Sequence, residues 1–158
     1  MSPDPLPRVG ISRCLLGDAV RYDGGHKRQP VLIDALGPHV EWVPVCPEVE
    51  MDMGTPREPI DLVRRGEEVR AVGVVSGRDW TGPMTAFSTG RASALKTLRL
   101  SGYVFKARSP SCNVHGTRGL FADAVTQAMP DLPVADEEDL RDAATCAQFL
   151  QRVRGYRP

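Results

Sequence analysis

Three cysteines each stand just past a short apolar run. Cys14 follows Val9-Gly10-Ile11-Ser12-Arg13, and Cys46 ends Val43-Pro44-Val45. Cys112 follows Tyr103-Val104-Phe105-Lys106-Ala107 through the turn Arg108-Ser109-Pro110-Ser111. Short apolar runs bounded by turn residues read as buried strands, so each thiol is delivered to a loop at a strand end. In an open α/β sheet those ends gather along one edge, where such folds bind ligands. Glu48 lies two residues past Cys46 and is tied to it by Pro47, so its carboxylate stays near whatever the sulfur binds and is the acid/base candidate. Ser109 and Ser111 bracket Pro110 beside Cys112. Their hydroxyls can hydrogen-bond ligand sulfurs or position a water, or serve as ordinary turn residues. Arg21 and Arg57 can hold an anionic or carbonyl group of a ligand, or be plain surface charges.

Three thiolates leave a closed structural zinc site one ligand short. His115, three residues after Cys112, can complete it as Cys₃His. Three thiolates also suit a [4Fe–4S] cubane with one iron left open, and an open iron is a Lewis acid toward a substrate sulfur or oxygen. The residues alone leave further alternatives standing: scattered packing cysteines, a lone thiol nucleophile, and a cluster-bearing module without catalysis. Cys146 differs from the other three. It falls at helical spacing after Ala143 and before Leu150 and reads as a small core residue.

The elements that must position these residues alternate in kind. Strands are expected over 9–12, 40–45, 60–63, 69–75 and 103–107, with a turn at 64–68. A polar, glycine-rich loop covers 17–25. A helix over 30–36 buries Val31, Leu32, Ala35 and Leu36 and stops at Gly37-Pro38. Residues 50–59, with Gly54, Pro56 and Pro59, form a loop that serves as a surface connection or an active-site wall. A helix capped by Thr81, or by Asp79 beside it, carries Met84, Phe87, Ala94, Leu95 and Leu98. Another runs over 119–128. A last one starts near Asp136, with Asp139 completing a variant capping box. Strands alternating with helices indicate an α/β fold: a single Rossmann-like three-layer domain with a mainly parallel sheet. Residues 1–7, with three prolines, are expected to be a flexible lead-in to one domain over 8–158.

Composition narrows the classes. The chain of 158 residues has Lys+Arg 20 against Asp+Glu 20, a formal net charge of zero, which makes no case for a nucleic-acid partner. No apolar run approaches membrane-spanning length, and the N-terminus has no charged-then-apolar signal pattern. The expected location is the cytoplasm, where thiols stay reduced, so widely spaced cysteines point to metal or catalysis before disulfides.

The blocks Ile11-Ser12-Arg13-Cys14-Leu15-Leu16-Gly17 with Val20-Arg21-Tyr22-Asp23-Gly24, Val45-Cys46-Pro47-Glu48-Val49-Glu50-Met51 with Gly54-Thr55-Pro56-Arg57-Glu58-Pro59, and Gly102-Tyr103-Val104-Phe105-Lys106 with Ser109-Pro110-Ser111-Cys112 resemble the thiouracil desulfidase (TudS) family. They come in the family's order and span about residues 8–145. The resemblance implies a Rossmann-like domain with a [4Fe–4S] cluster held by Cys14, Cys46 and Cys112. It also implies redox-neutral removal of sulfur from a small thiolated pyrimidine (base, nucleoside or nucleotide) with release of sulfide. The family's glutamate falls on Glu48 and its serines on Ser109 and Ser111. One position departs: Asn113 stands where the family usually has Gly, in a turn that Asn suits by tolerating left-handed backbone.

Overall fold

The structure, a computed structural model, describes residues 5–158. Residues 1–4 of the expected lead-in lie outside the described residues; residues 5–7 carry no regular structure. The chain runs β1 (Arg8–Ser12), α1 (Pro30–Leu36), β2 (Glu41–Val45), α2 (Pro47–Glu50), β3 (Ile60–Arg65), β4 (Glu68–Gly73), α3 (Thr81–Thr97), β5 (Gly102–Phe105), α4 (Leu120–Ala128), β6 (Val134–Asp136) and α5 (Ala143–Gly155). Four strands form an all-parallel sheet in the order β2-β1-β5-β6. Helices α1 and α5 pack together on one face and α3 and α4 on the other. Val9 and Ile11 of β1, and Tyr103, Val104 and Phe105 of β5, are fully buried, as central strands covered on both faces require. The α/β class, the mainly parallel sheet and the flanking helix layers are as expected.

The order places the site. From β1 the chain first winds to β2 on one side, then crosses back to β5 on the other. Their carboxyl ends therefore flank a crevice where connections diverge in opposite directions. The antiparallel β3–β4 hairpin forms a separate two-stranded sheet, turning at Gly66 with φ 66°. Ile60 and Ala71 of the hairpin bury with Met84 of α3.

Four local expectations are corrected. Asp136, expected to open the last helix, instead closes strand β6 against β5, and α5 starts at Ala143. Its capping box is Asp142 with Thr145, and Thr145 N–H donates to Asp142 Oδ1 at 2.8 Å. Asp136 and Asp139 do pair, but across a turn, through Asp139 N–H to Asp136 Oδ1 at 2.9 Å. Thr81 does not cap α3, because its Oγ1 accepts Ala71 N–H at 2.8 Å and ties the helix to β4. Asp79 takes Thr81 N–H at 2.9 Å. The buried face of α3 is Met84, Ser88, Ala92 and Leu95, while Leu98 is exposed. In α1, Leu32 and Leu36 face the core and Val31 is 51% exposed. A seven-residue helix crossing a sheet presents one i, i+4 row, and Val31 is off it.

Candidate active site

The carboxyl ends of β1, β2 and β5 each hand over one thiol. Cys14 sits in a 3₁₀ turn, Arg13–Leu16, that closes on Gly17 at φ 100°. Its carbonyl accepts Gly17 N–H and Lys27 N–H, so the turn and the returning loop are fixed together. Cys46 is the residue between β2 and α2; its N–H donates to Glu50 Oε2 at 2.9 Å, and Arg91 Nε holds the other Glu50 oxygen at 2.9 Å. Cys112 follows the Ser-Pro-Ser turn and is buried. All three thiols, with Glu48, Ser109, Ser111, Arg21 and Arg57, line one cavity of about 360 Å³. Every candidate site residue except His115 is thus brought to one place, and Cys146 is buried elsewhere, on α5.

The hydrogen bonds of the polar wall run in one direction. Ser109 Oγ accepts Cys112 N–H at 3.1 Å and Ser111 N–H at 3.3 Å. Its own proton is therefore directed to Ser111 Oγ, 3.1 Å away. Ser111 in turn donates to Glu48 Oε2 at 3.3 Å. Glu48 Oε1 accepts from Arg57 Nε at 3.2 Å, and this ion pair is nearly dry, with side chains 6% and 11% exposed. Arg57 is itself anchored: Nη1 donates to Gly54 O at 2.9 Å, and its N–H donates to Tyr22 O at 2.6 Å, joining the two loops that wall the cavity. The loop over 50–59 thus contributes Arg57 and Pro59 to the cavity wall.

The thiols are not poised as lone nucleophiles. Burial pushes Cys14 up to about 11 and Cys112 up to about 12, and raises Cys46 as well. A nucleophilic cysteine needs the opposite shift. Metal binding, which replaces the thiol proton with a cation, is what a buried thiol set of this kind is suited to. A single zinc with 2.3 Å bonds draws its sulfurs to within about 4 Å of one another. The three sulfurs here are not all within 4.8 Å of one another; among the described residues, the trio of such ligand atoms that is so close is His115, Asp136 and Asp139. A cubane places each thiolate on a different iron and fits the wider spacing. His115 is corrected as a fourth ligand. It does not line the cavity, and its Nε2 lies 2.7 Å from Asp139 Oδ2.

Asn113 keeps the Cys112 turn closed by means other than those expected. Its backbone is not left-handed; the positive φ, 60°, falls on Arg108. Its side chain accepts Arg108 N–H at 3.0 Å and donates to His115 O at 2.6 Å and Thr117 O at 2.8 Å. The amide fastens both arms of the loop.

The cavity also gathers residues that sequence reasoning missed: Arg13, Tyr22, Lys27, Lys106 and Arg108. Lys106 is half-buried, with Nζ 3.3 Å from Glu137 and donating to Ala107 O at 2.6 Å. A lysine ending an apolar strand, next to the Ser-Pro-Ser-Cys turn, was its signal. Six cations then face the cavity against the single carboxylate of Glu48.

Comparison with known proteins identifies relatives of this chain. A family profile described as 2-thiouracil desulfurase matches residues 9–137. The uncharacterized protein YbbK of Bacillus subtilis is 33% identical over 110 residues, which is 65% of this chain and 70% of that protein. A solved structure of the [4Fe-4S]-dependent thiouracil desulfidase TudS superposes with a TM-score of 0.71 at 27% identity, covering 90% of this chain and 98% of that one. The chain belongs to the 2-thiouracil desulfurase family.

Proposed function

We propose that this desulfurase-family domain is an enzyme that replaces the sulfur of a small thiolated pyrimidine, of the thiouracil or thiouridine type, with oxygen, using a [4Fe–4S] cluster held by Cys14, Cys46 and Cys112. The observation that carries the assignment of roles is the convergence of three strand-end thiols and the Ser109–Ser111–Glu48–Arg57 chain on one cavity.

The reaction is a hydrolysis: water supplies the new carbonyl oxygen, its two protons leave with the sulfur as hydrogen sulfide, and no electrons change hands. When bound, the cluster supplies an iron without a protein ligand, a Lewis acid that polarises the carbon–sulfur bond and suits a soft sulfur leaving group. Glu48 is the base that takes the proton of the attacking water. Arg57 fixes one carboxylate oxygen and Ser111 addresses the other, so the carboxylate has a single orientation across the cavity. Ser109 holds the turn and aims the Ser111 hydroxyl, which positions the water. The cationic wall suits a substrate that brings negative charge, and Arg21 and Lys27, which no carboxylate among the described residues holds within 4.0 Å, are the groups to meet it. A 5′-monophosphate of thiouridine is expected to have a lower KM than the free base, an advantage that salt weakens.

No helix among the described residues is long and apolar enough to cross a membrane. All four cysteines are unpaired, which suits a reducing cytoplasm. The test of the ligand set is anaerobic cluster assembly in single cysteine variants. Serine at position 14, 46 or 112 should each lose the cluster, and Cys146→Ala should keep it; a cluster that survives loss of one of the three overturns the assignment.

A further inference from the structure

Helix α2 is a single turn of four residues, Pro47–Glu50, with Cys46 at its N-cap. A lone turn fixes more backbone than its few hydrogen bonds repay, so it does not hold itself in place. Yet its placement matters twice over. It begins at one of the three cavity thiols, and it carries Glu48.

Glu50 supplies the missing hold. Its backbone N–H donates to Cys46 O at 2.9 Å, and its side-chain Oε2 accepts Cys46 N–H at 2.9 Å. One residue therefore binds both the N–H and the carbonyl of Cys46. Arg91 of α3, 41 residues further along the chain, donates through Nε to Glu50 Oε1 at 2.9 Å. Such charge-assisted bonds are directional as well as strong. At 100° per residue, Glu48 and Glu50 project from nearly opposite sides of the turn. Arg57 holds Glu48 on the cavity side, and Arg91 holds Glu50 on the other. Neither Glu50 nor Arg91 lines the cavity. Their side chains are 28% and 25% exposed, and an ion pair open to water to that degree adds little stability. What the pair does add is a fixed attachment of α2 to a long helix.

We infer that Glu50 and Arg91 are positioning residues: together they clamp α2 to α3, and so hold the Cys46 thiol and the Glu48 carboxylate at a set separation. The inference rests on the roles proposed above for those two residues. Because the clamp lies outside the cavity, its loss acts on kcat and leaves KM alone.

The experiment assembles wild type, Arg91→Met, Glu50→Met and Glu50→Gln anaerobically, counts iron, and measures kcat and KM for 4-thiouracil. Amide hydrogen exchange over residues 46–51 is followed by mass spectrometry on the same loaded proteins. Arg91→Met leaves Glu50 free to accept Cys46 N–H; it should keep iron and KM and lose roughly tenfold in kcat. Glu50→Met also strips the acceptor from Cys46 N–H and should lose on the order of 100-fold, the cost of about 1 Å of misplacement. Glu50→Gln, which keeps an acceptor, should recover to the level of Arg91→Met. Exchange over 46–51 should quicken by about tenfold in Arg91→Met and further in Glu50→Met, as a loosened turn opens more often. Wild-type kcat and wild-type exchange in loaded Arg91→Met and Glu50→Met overturn the inference, and so does a raised KM at unchanged kcat. Should Glu50→Met take up no iron, Arg91→Met decides by the same two readouts. A loaded wild type that leaves 4-thiouracil untouched removes the proposed reaction, and exchange alone then judges the clamp. A wild type that takes up no cluster removes the ligand assignment beneath.

Discussion

Gly119 offers a way to move Cys112 without altering any side chain of the cavity. It precedes α4 with φ −62° and ψ 152°, a conformation open to any residue, so backbone strain plays no part. Space does. A Cβ at this position would stand 2.5 Å from Ser111 O and 2.6 Å from Cys112 N, both backbone atoms that cannot swing aside. Ordinary contact needs roughly 1 Å more. In Gly119→Ala the Ser111–Cys112 peptide must retreat by about that distance, or α4 must, and Phe121 and Ala122 N–H bond Ser111 O at 2.9 Å each. Relieving the overlap costs about 1–3 kcal/mol of stability. The larger effect is on function, since a displacement of about 1 Å of a positioned group can cost on the order of 100-fold in rate. The assay is iron content and turnover of 4-thiouracil after anaerobic assembly, beside Gly90→Ala as a control. Gly90 lies in α3 with nothing within 4 Å of an added Cβ, and its replacement should raise stability by about 0.5–1 kcal/mol and leave iron and turnover alone. Gly119→Ala with full iron and wild-type turnover would refute the close backbone approach as the device that seats Cys112.

Other perturbations separate the roles along the polar wall. Glu48→Gln should keep the cluster spectrum and lose sulfide release; Arg57→Met should lower kcat and stability together, since breaking a nearly dry ion pair by removing one partner costs about 3–5 kcal/mol, and thermal melts of Glu48→Gln/Arg57→Met should show part of that loss restored. Ser111→Ala should retain iron and slow turnover by roughly 100-fold, whereas Ser109→Ala, which frees the N–H groups of Ser111 and Cys112, should lose iron as well. The hydrogen bond that His115 donates to the Asp139 carboxylate raises His115 above its ordinary 6.5. The pair's stabilisation is therefore complete below that value and fades as pH rises through the folded-state value; an NMR titration of His115 should show the raised midpoint in wild type and an ordinary one in Asp139→Asn.

The site was legible because its chemistry is local to strand ends. Val43-Pro44-Val45-Cys46-Pro47-Glu48 announces a strand, a stop and a carboxylate in six residues, and the stop is real: Pro47 opens α2. What one stretch could not reveal was which loop would face which. Arg57 reads as a surface charge until Tyr22 O takes its N–H and Glu48 takes its guanidinium. His115 reads as a ligand until Asp139, a residue far along the chain, claims its ring nitrogen. Strand β6 is three residues long, with one β-branched side chain, and exists because β5 offers it an edge; its own pattern carries no strand signal. Tyr103 and Gly10 look like two unrelated core residues until the β1–β5 register lays one across the other.

The most direct test of the central claim is to assemble the wild-type protein anaerobically, count iron and sulfide, and add 4-thiouracil. The account predicts a brown protein with about four irons per chain that converts 4-thiouracil to uracil with one sulfide released per turnover and no electron donor present. A colourless protein holding a single zinc, or a loaded cluster that leaves 4-thiouracil and its nucleoside and nucleotide untouched, would contradict it.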